Sequence, residues 1–175
     1  MNEHDVYLGN PNLKKANTQI EFTEEQVIEF LKYKEDPVYF ANNYMKIVSL
    51  DEGLVQFKPY DFQEKLINNF HENRFNICKM PRQTGKSTTS VSYLLHYCVF
   101  NDSVNIGILA NKAATARDLL GRLQTAYENL PKWMQQGIIS WNKGSLELEN
   151  GSKILAASTS ASAVRGMSFN ILFLD

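Results

Sequence analysis

Cysteine is scarce in this 175-residue sequence: there are two, Cys78 and Cys98, both in apolar surroundings and without metal-ligand spacing. That scarcity excludes a disulfide framework and a cysteine-built zinc site, and it suits free thiols in a reducing compartment. Excess charge is lacking too. Eighteen Lys and Arg stand against nineteen Asp and Glu, for a net charge of −1. No basic footprint marks the chain as a whole, so any contact with DNA runs through a local patch or through parts outside this sequence. Long apolar runs are missing. None approaches the roughly 18 residues of a membrane span, and the N-terminus has no signal-peptide core. Internal repeats and low-complexity segments are absent as well. What remains is a globular composition, 43% hydrophobic and 21% charged, with enough length for one domain and its core.

Residues 1–20 are polar and without period, which reads as a mobile arm. Residues 21–73 read as a helical segment. Thr23 and Gln26 form a capping-box pair ahead of Val27, Ile28 and Leu31, so an amphipathic helix is expected there. Asp36 as N-cap and Pro37 at the first helical position restart a helix whose apolar side is Val38, Phe40, Tyr44 and Ile47. A third helix is expected in "FKPYDFQEKLINNF", with Phe62, Leu66 and Phe70 at core-facing spacing.

From residue 74 to 175 strands and helices alternate. "RFNICKM" reads as a first strand, followed by a helix marked by Val91, Leu94, Leu95 and Cys98. "SVNIGILA" is a second strand. "NKAATARDLLGRLQTAYENL" is helical and stops at Pro131. "GIISW", "SLELEN" and "KILAAS" are short strands, the last two joined at Asn150-Gly151, residues that both tolerate positive φ. "NILFLD" is a final apolar strand ending in Asp175. The expected class is α/β, with a mostly parallel sheet and helices on both faces.

"MPRQTGKSTTS", residues 80–90, carries the chemistry. In a phosphate-binding loop, successive N–H groups at a helix N-terminus point at the phosphates and the helix dipole adds favourable potential. Gly85 permits close backbone approach, Lys86 reaches the β- and γ-phosphates, and the Ser87 hydroxyl is suited to Mg²⁺. The usual glycine at the start of such a loop is replaced by Met80, so the motif gains its weight from the flanking strand and helix. It gains more from the apolar strand ending in Asp175. A carboxylate there orients the hydration shell of the Mg²⁺.

Taken in order, "FKPYDFQEKLI", "MPRQTGKSTT", "GILANKAATA", "WNKGSLELENGSKILAAS" and "AVRGMSFNILFLD" resemble the ATPase domain of phage large terminase subunits, those of contractile-tailed phages above all. The resemblance covers about residues 37–175. It implies a P-loop NTPase fold, ATP and Mg²⁺ as cofactors, and a motor that couples ATP hydrolysis to movement of double-stranded DNA into the procapsid. The portal protein and the small terminase subunit are implied partners, with a ring oligomer on the portal, no membrane, and action in the host cytoplasm.

The resemblance also implies residue roles. Arg82 matches the arginine that precedes Gly-Lys-Ser/Thr in these motors and would meet the γ-phosphate as a finger supplied in cis. Lys86 and Asp175 complete the expected catalytic set. Tyr60 and Gln63 match an adenine-recognition segment, with Gln63 suited to the adenine edge. Gln83, Thr84, Gly85, Lys86, Ser87 and Thr88 line the nucleotide. Arg165 matches an Arg-Gly before the acidic strand, where nucleotide sensing and DNA contact both remain open. Lys112, Arg117 and Arg122 either face DNA or sit on a solvated helix, with Arg117 and Asp118 paired locally.

The glutamate that follows the acidic strand in the family, and the nuclease domain, fall outside these residues. The chain alone is therefore expected to be a truncated, inactive ATPase. The last strand ought to be central, which would leave its edge hydrophobic and prone to association. Two other readings stay open on sequence: a superfamily-2 helicase or restriction-type translocase, and a non-catalytic nucleotide-binding half of a split protein.

Overall fold

Capping chemistry sets the first helices. Thr23 Oγ1 accepts from the Gln26 N–H while Gln26 Oε1 accepts from the Thr23 N–H, opening helix α1 (Glu24–Glu35). Asp36 closes it and caps α2 (Pro37–Tyr44), its carboxylate accepting from the N–H groups of Val38 and Tyr39 at 2.9 and 2.8 Å. These elements belong to a computed structural model that describes residues 5–49, 51–159 and 166–175.

Ahead of α1 lies a hairpin of β1 (Val6–Tyr7) and β2 (Asn10–Lys14), and after α2 another of β3 (Lys46–Ser49) and β4 (Gly53–Gln56). Then come α3 (Asp61–Glu72), α4 (Lys86–Phe100), β5 (Asn105–Ala110) and α5 (Ala113–Glu128). The chain continues with β6 (Ile138–Trp141), β7 (Ser145–Leu148), β8 (Lys153–Ser158) and β9 (Ile171–Leu174).

The main sheet runs β6-β7-β8-β5-β9. β8, β5 and β9 are parallel, with Ile106 opposite both Ile154 and Ile171; β6, β7 and β8 are joined antiparallel. β5 is hydrophobic at nearly every position because it is flanked on both sides and covered by α5, which packs on β5 and β8. α4 packs against α5, α2 and α3. Leu95, Ile106, Ile108, Leu120, Leu123 and Tyr127 form the centre of one continuous core. The α/β class stands as expected.

Several elements differ from the sequence reading, each for a physical reason. Residues 5–20 are not an unstructured arm. Leu13 is buried, the Lys14 ammonium meets Glu149 at 2.9 Å, and Lys15 bridges to Ile138 at the edge of the main sheet. Val27, Ile28 and Leu31 face solvent, and Tyr33 is the buried residue of α1. Ile47 belongs to β3 rather than to α2. At the β7–β8 turn only Gly151 takes positive φ; Asn150 instead uses its side chain, donating to the carbonyls of Cys98 and Asn101. The largest difference lies at 74–80. The expected strand "RFNICKM" forms no strand and pairs with none among the described residues, and Phe75 and Ile77 are 83% and 100% exposed.

Candidate functional site

The turn from 80 into α4 is built by local bonds. Gly85, at φ +75°, is the N-cap of α4, and Gln83 also takes a positive φ of 63°. Thr84 Oγ1 donates to the Pro81 carbonyl at 3.0 Å, and Thr89 Oγ1 to the Gly85 carbonyl at 2.9 Å. The Thr89 N–H makes the first helical bond, to Gly85. The N–H groups of Lys86, Ser87 and Thr88 therefore have no carbonyl one turn back and open the helix as free donors. Together with the helix dipole they make an anion-binding end.

Lys86 begins α4, and its ammonium donates to the Met80 carbonyl at 3.2 Å. This bond closes the loop on itself. Arg82 is exposed at the loop's outer side. Ser87 and Thr88 are half-buried at the helix start.

Gln63 ties α3 to this loop. It is buried; its Oε1 accepts from the Tyr60 N–H at 2.9 Å, and its Nε2 donates to the Thr84 carbonyl at 3.0 Å. A Cβ at position 85 would lie 2.4 Å from that Nε2, so φ favours the glycine and any side chain there displaces the end of Gln63. Tyr60 and Phe62 stack at 5.8 Å with ring planes 12° apart, and they are 70% and 44% exposed. Phe62, expected in the core by its spacing, is turned outward because Gln63, Leu66 and Ile67 fill the buried side of α3.

Asp175 sits at the end of β9, its N–H bonded to the Leu109 carbonyl at 2.9 Å. Lys86 and Asp175 line the same cleft, of about 630 Å³. Thus the structure brings together Gln63, Thr84, Gly85 and Lys86, with Tyr60 beside them at the N-cap of α3, and Asp175 lines the same cleft as Lys86. It leaves Arg82 and Gln83 exposed at the rim. Arg165 lies outside the described residues. Lys112, Arg117 and Arg122 are exposed on or beside α5, and Asp118 pairs with Arg122 at 2.8 Å rather than with Arg117. The sequence did not reveal the Tyr60–Phe62 stack, although two aromatics bracketing an acidic helix start were its visible sign.

Groups away from the loop are tuned by burial. The Cys98 thiol is pushed up to about 12 by burial, while Cys78 is exposed. Burial holds His96 down at about 4; its Nε2 lies 2.7 Å from the Tyr33 carbonyl.

A model of the family described as "Terminase large subunit, T4likevirus-type, N-terminal" matches residues 77–175. The crystal structure of the HK97 bacteriophage large terminase superposes with a TM-score of 0.65 at 18% identity. That likeness covers 81% of this chain and 30% of the HK97 chain, so this chain spans less than a third of that relative's length.

Proposed function

We propose that this chain, which belongs to the T4-like-virus-type terminase large subunits through their N-terminal region, is the ATP-binding part of a viral DNA-packaging motor. The observation that supports this most is the start of α4: three free N–H groups behind a glycine in the left-handed region, with the Lys86 ammonium bonded back to the Met80 carbonyl at the loop's other end.

The residues fit a nucleotide phosphate. An arriving phosphate offers Lys86 a charged acceptor in place of the Met80 carbonyl, and charge-assisted bonds of that kind are about twice as strong as neutral ones. Ser87 and Asp175 suit Mg²⁺, Asp175 through water. Among the described residues no three His, Cys, Asp or Glu side chains cluster as a metal cage. That is the expected situation for Mg²⁺, which keeps its waters and takes the rest of its oxygens from phosphates. When bound, ATP and Mg²⁺ supply the cleavable phosphoanhydride and the charge that offsets its oxygens.

Around them, the chain's own residues divide the work. Thr84 bonds the Pro81 carbonyl and Gln83 turns the loop at positive φ, and with Thr88 they line the nucleotide. Gln63 holds it at Thr84 and keeps one amide hydrogen and one carbonyl lone pair for an adenine edge. The exposed Tyr60–Phe62 pair offers a stacking face beside it. Arg82, free at the rim, is placed to meet charge on the terminal phosphate. In the whole motor this site would drive double-stranded DNA through a portal-bound ring with the small terminase subunit, in the host cytoplasm. Arg165 remains a candidate for sensing or DNA contact. No helix among the described residues is long and apolar enough to cross a membrane.

The test is equilibrium binding of ATP with Mg²⁺ to the wild-type chain and to Lys86→Ala. Saturable binding lost in the variant, with melting unchanged when nucleotide is absent, is the expected result. Equal binding by both removes the phosphate-loop assignment.

A further inference from the structure

Helix α1 turns its aliphatic stripe away from the core. Val27, Ile28 and Leu31 are 47%, 56% and 54% exposed. They are neighbours on one face, because residues three and four apart meet on a helix. The packing is done by the other face: Tyr33 is buried, Phe30 lies against the core, and α1 rests on α2. Single surface hydrophobics are ordinary, but three contiguous aliphatic side chains mark a contact surface.

The charges around the stripe are ordered along the helix. Glu24 and Glu25 occupy its first turn, Lys32 and Lys34 its last. The helix dipole accounts for that order, but not for bare aliphatic side chains between the two ends. Glu25 and Lys32, at i and i+7, lie about two turns apart and so flank the stripe on the same side. Both are exposed. The ion pair of Lys32 among the described residues is with Glu29 of its own helix, at 3.4 Å, a loose surface contact. Exposed Glu24, Glu25 and Glu35 weigh against a lipid surface as the occupant, since a helix lying on a membrane carries Lys and Arg around its apolar face.

We propose that α1 docks antiparallel on α1 of a second copy of this chain. A twofold axis crossing the stripe beside Ile28 reverses the helix. Glu25 of each copy then meets Lys32 of the other, twice per dimer. Val27 of each packs beside Leu31 of the other, and the two Ile28 side chains meet at the axis. The helix is thus complementary to itself in charge as well as in apolar surface. Such a contact uses the same patch on both chains and closes at two copies. It is therefore not the contact that would build a portal-bound ring, and it does not depend on whether the loop binds ATP. Two 12-residue helices, each about 18 Å long, bury less than a standard interface. The dissociation constant is accordingly on the order of 10⁻⁴ M.

The test is sedimentation equilibrium of the 175-residue chain from about 10 µM to about 1 mM at low ionic strength, where surface charge pairs are least screened. Thiol reductant is present because Cys78 is exposed. The wild-type mass is expected to rise from 20.0 kDa toward twice that value. Leu31→Glu, at an exposed position, is expected to stay monomeric. Glu25→Lys and Lys32→Glu should each weaken the dimer about tenfold, since each turns both crossing pairs into like charges. An equimolar mixture of these two variants restores opposite signs at both crossings, so a mixed dimer of wild-type strength is expected. Mixing repairs no helix that has merely frayed, so this recovery separates pairing from misfolding. A wild-type chain that stays monomeric throughout overturns the proposal. So does a dimer unmoved by Leu31→Glu, a mixture no stronger than either variant alone, or association that continues past two copies.

Discussion

Replacing Gly85 with alanine should cost more than a loop substitution ordinarily does, and the cost should be traceable to one neighbour. Gly85 sits at φ +75°, where an L-residue is disfavoured by about 1–2 kcal/mol. The new methyl would also arrive 2.4 Å from Gln63 Nε2. That atom ends a flexible side chain, so it moves, and its bond to the Thr84 carbonyl is lost at about 1 kcal/mol. The sum is about 2–3 kcal/mol, a fall in melting temperature of roughly 5–10 °C for a domain of this size. Gln63→Ala removes the clashing atom and the bond together. In a double-mutant cycle, Gly85→Ala in the Gln63→Ala background should therefore cost only the backbone part, a coupling of about 1 kcal/mol. The assay is reversible urea unfolding of the four proteins. Strict additivity, or a Gly85→Ala protein as stable as wild type, would refute the claim that Gln63 and the loop are mechanically joined.

Protonation of buried His96 should erode stability in acid. Its folded value, about 4, lies below the ordinary 6.5, so the unfolded chain takes up the proton first. Stability is fully present above pH 6.5 and declines as pH falls toward 4, by roughly 3 kcal/mol in all. His96→Phe should flatten this slope in urea melts from pH 7 to 4, and an unchanged slope would remove His96 as its source. Burial pushes the Glu149 carboxyl up, but bonds from Lys14 and from the N–H groups of Asn17 and Gly137 hold it below its usual range. Glu149→Ala should release the N-terminal hairpin and cost about 2 kcal/mol; rapid hydrogen exchange at Leu13 and Lys14 in that variant checks it. In a longer, hydrolysing form of the motor, Arg82→Ala should lower kcat by about 10³ with little change in ATP affinity, and Arg82→Lys should rescue poorly, because an ammonium lacks the guanidinium fork. Full turnover by Arg82→Lys counts against the finger role.

How far the sequence reveals this molecule depends on what each element needs. Helices α1 and α2 were legible from Thr23, Gln26, Asp36 and Pro37, because capping is a local bond between neighbours in sequence. β5 and α5 were legible from unbroken apolar runs and helical spacing. The loop was legible because Gly85-Lys86-Ser87 acts through backbone geometry that those residue types dictate. Segment 74–80 was misread since its residues favour a strand, yet a strand exists only where a partner bonds it. Phe62 and the apolar side of α1 were misread because spacing names a face and not what lies opposite. The hairpins β1–β2 and β3–β4 were missed, being only two to five residues per strand; their anchors, Lys14 to Glu149 and Gln56 Nε2 to the Met45 carbonyl, are long-range or side-chain bonds that no local pattern signals.

The central claim is that the free N–H groups at the start of α4 hold the phosphates of ATP. It is tested most directly by amide NMR of the ¹⁵N-labelled chain during titration with ATP and Mg²⁺. The account predicts large, saturable shifts at Gly85, Lys86, Ser87 and Thr88, smaller ones at Tyr60 and Gln63, and none at these positions in Lys86→Ala. Saturable ATP binding that leaves the Gly85–Thr88 amides unmoved, or that persists unchanged in Lys86→Ala, would contradict it.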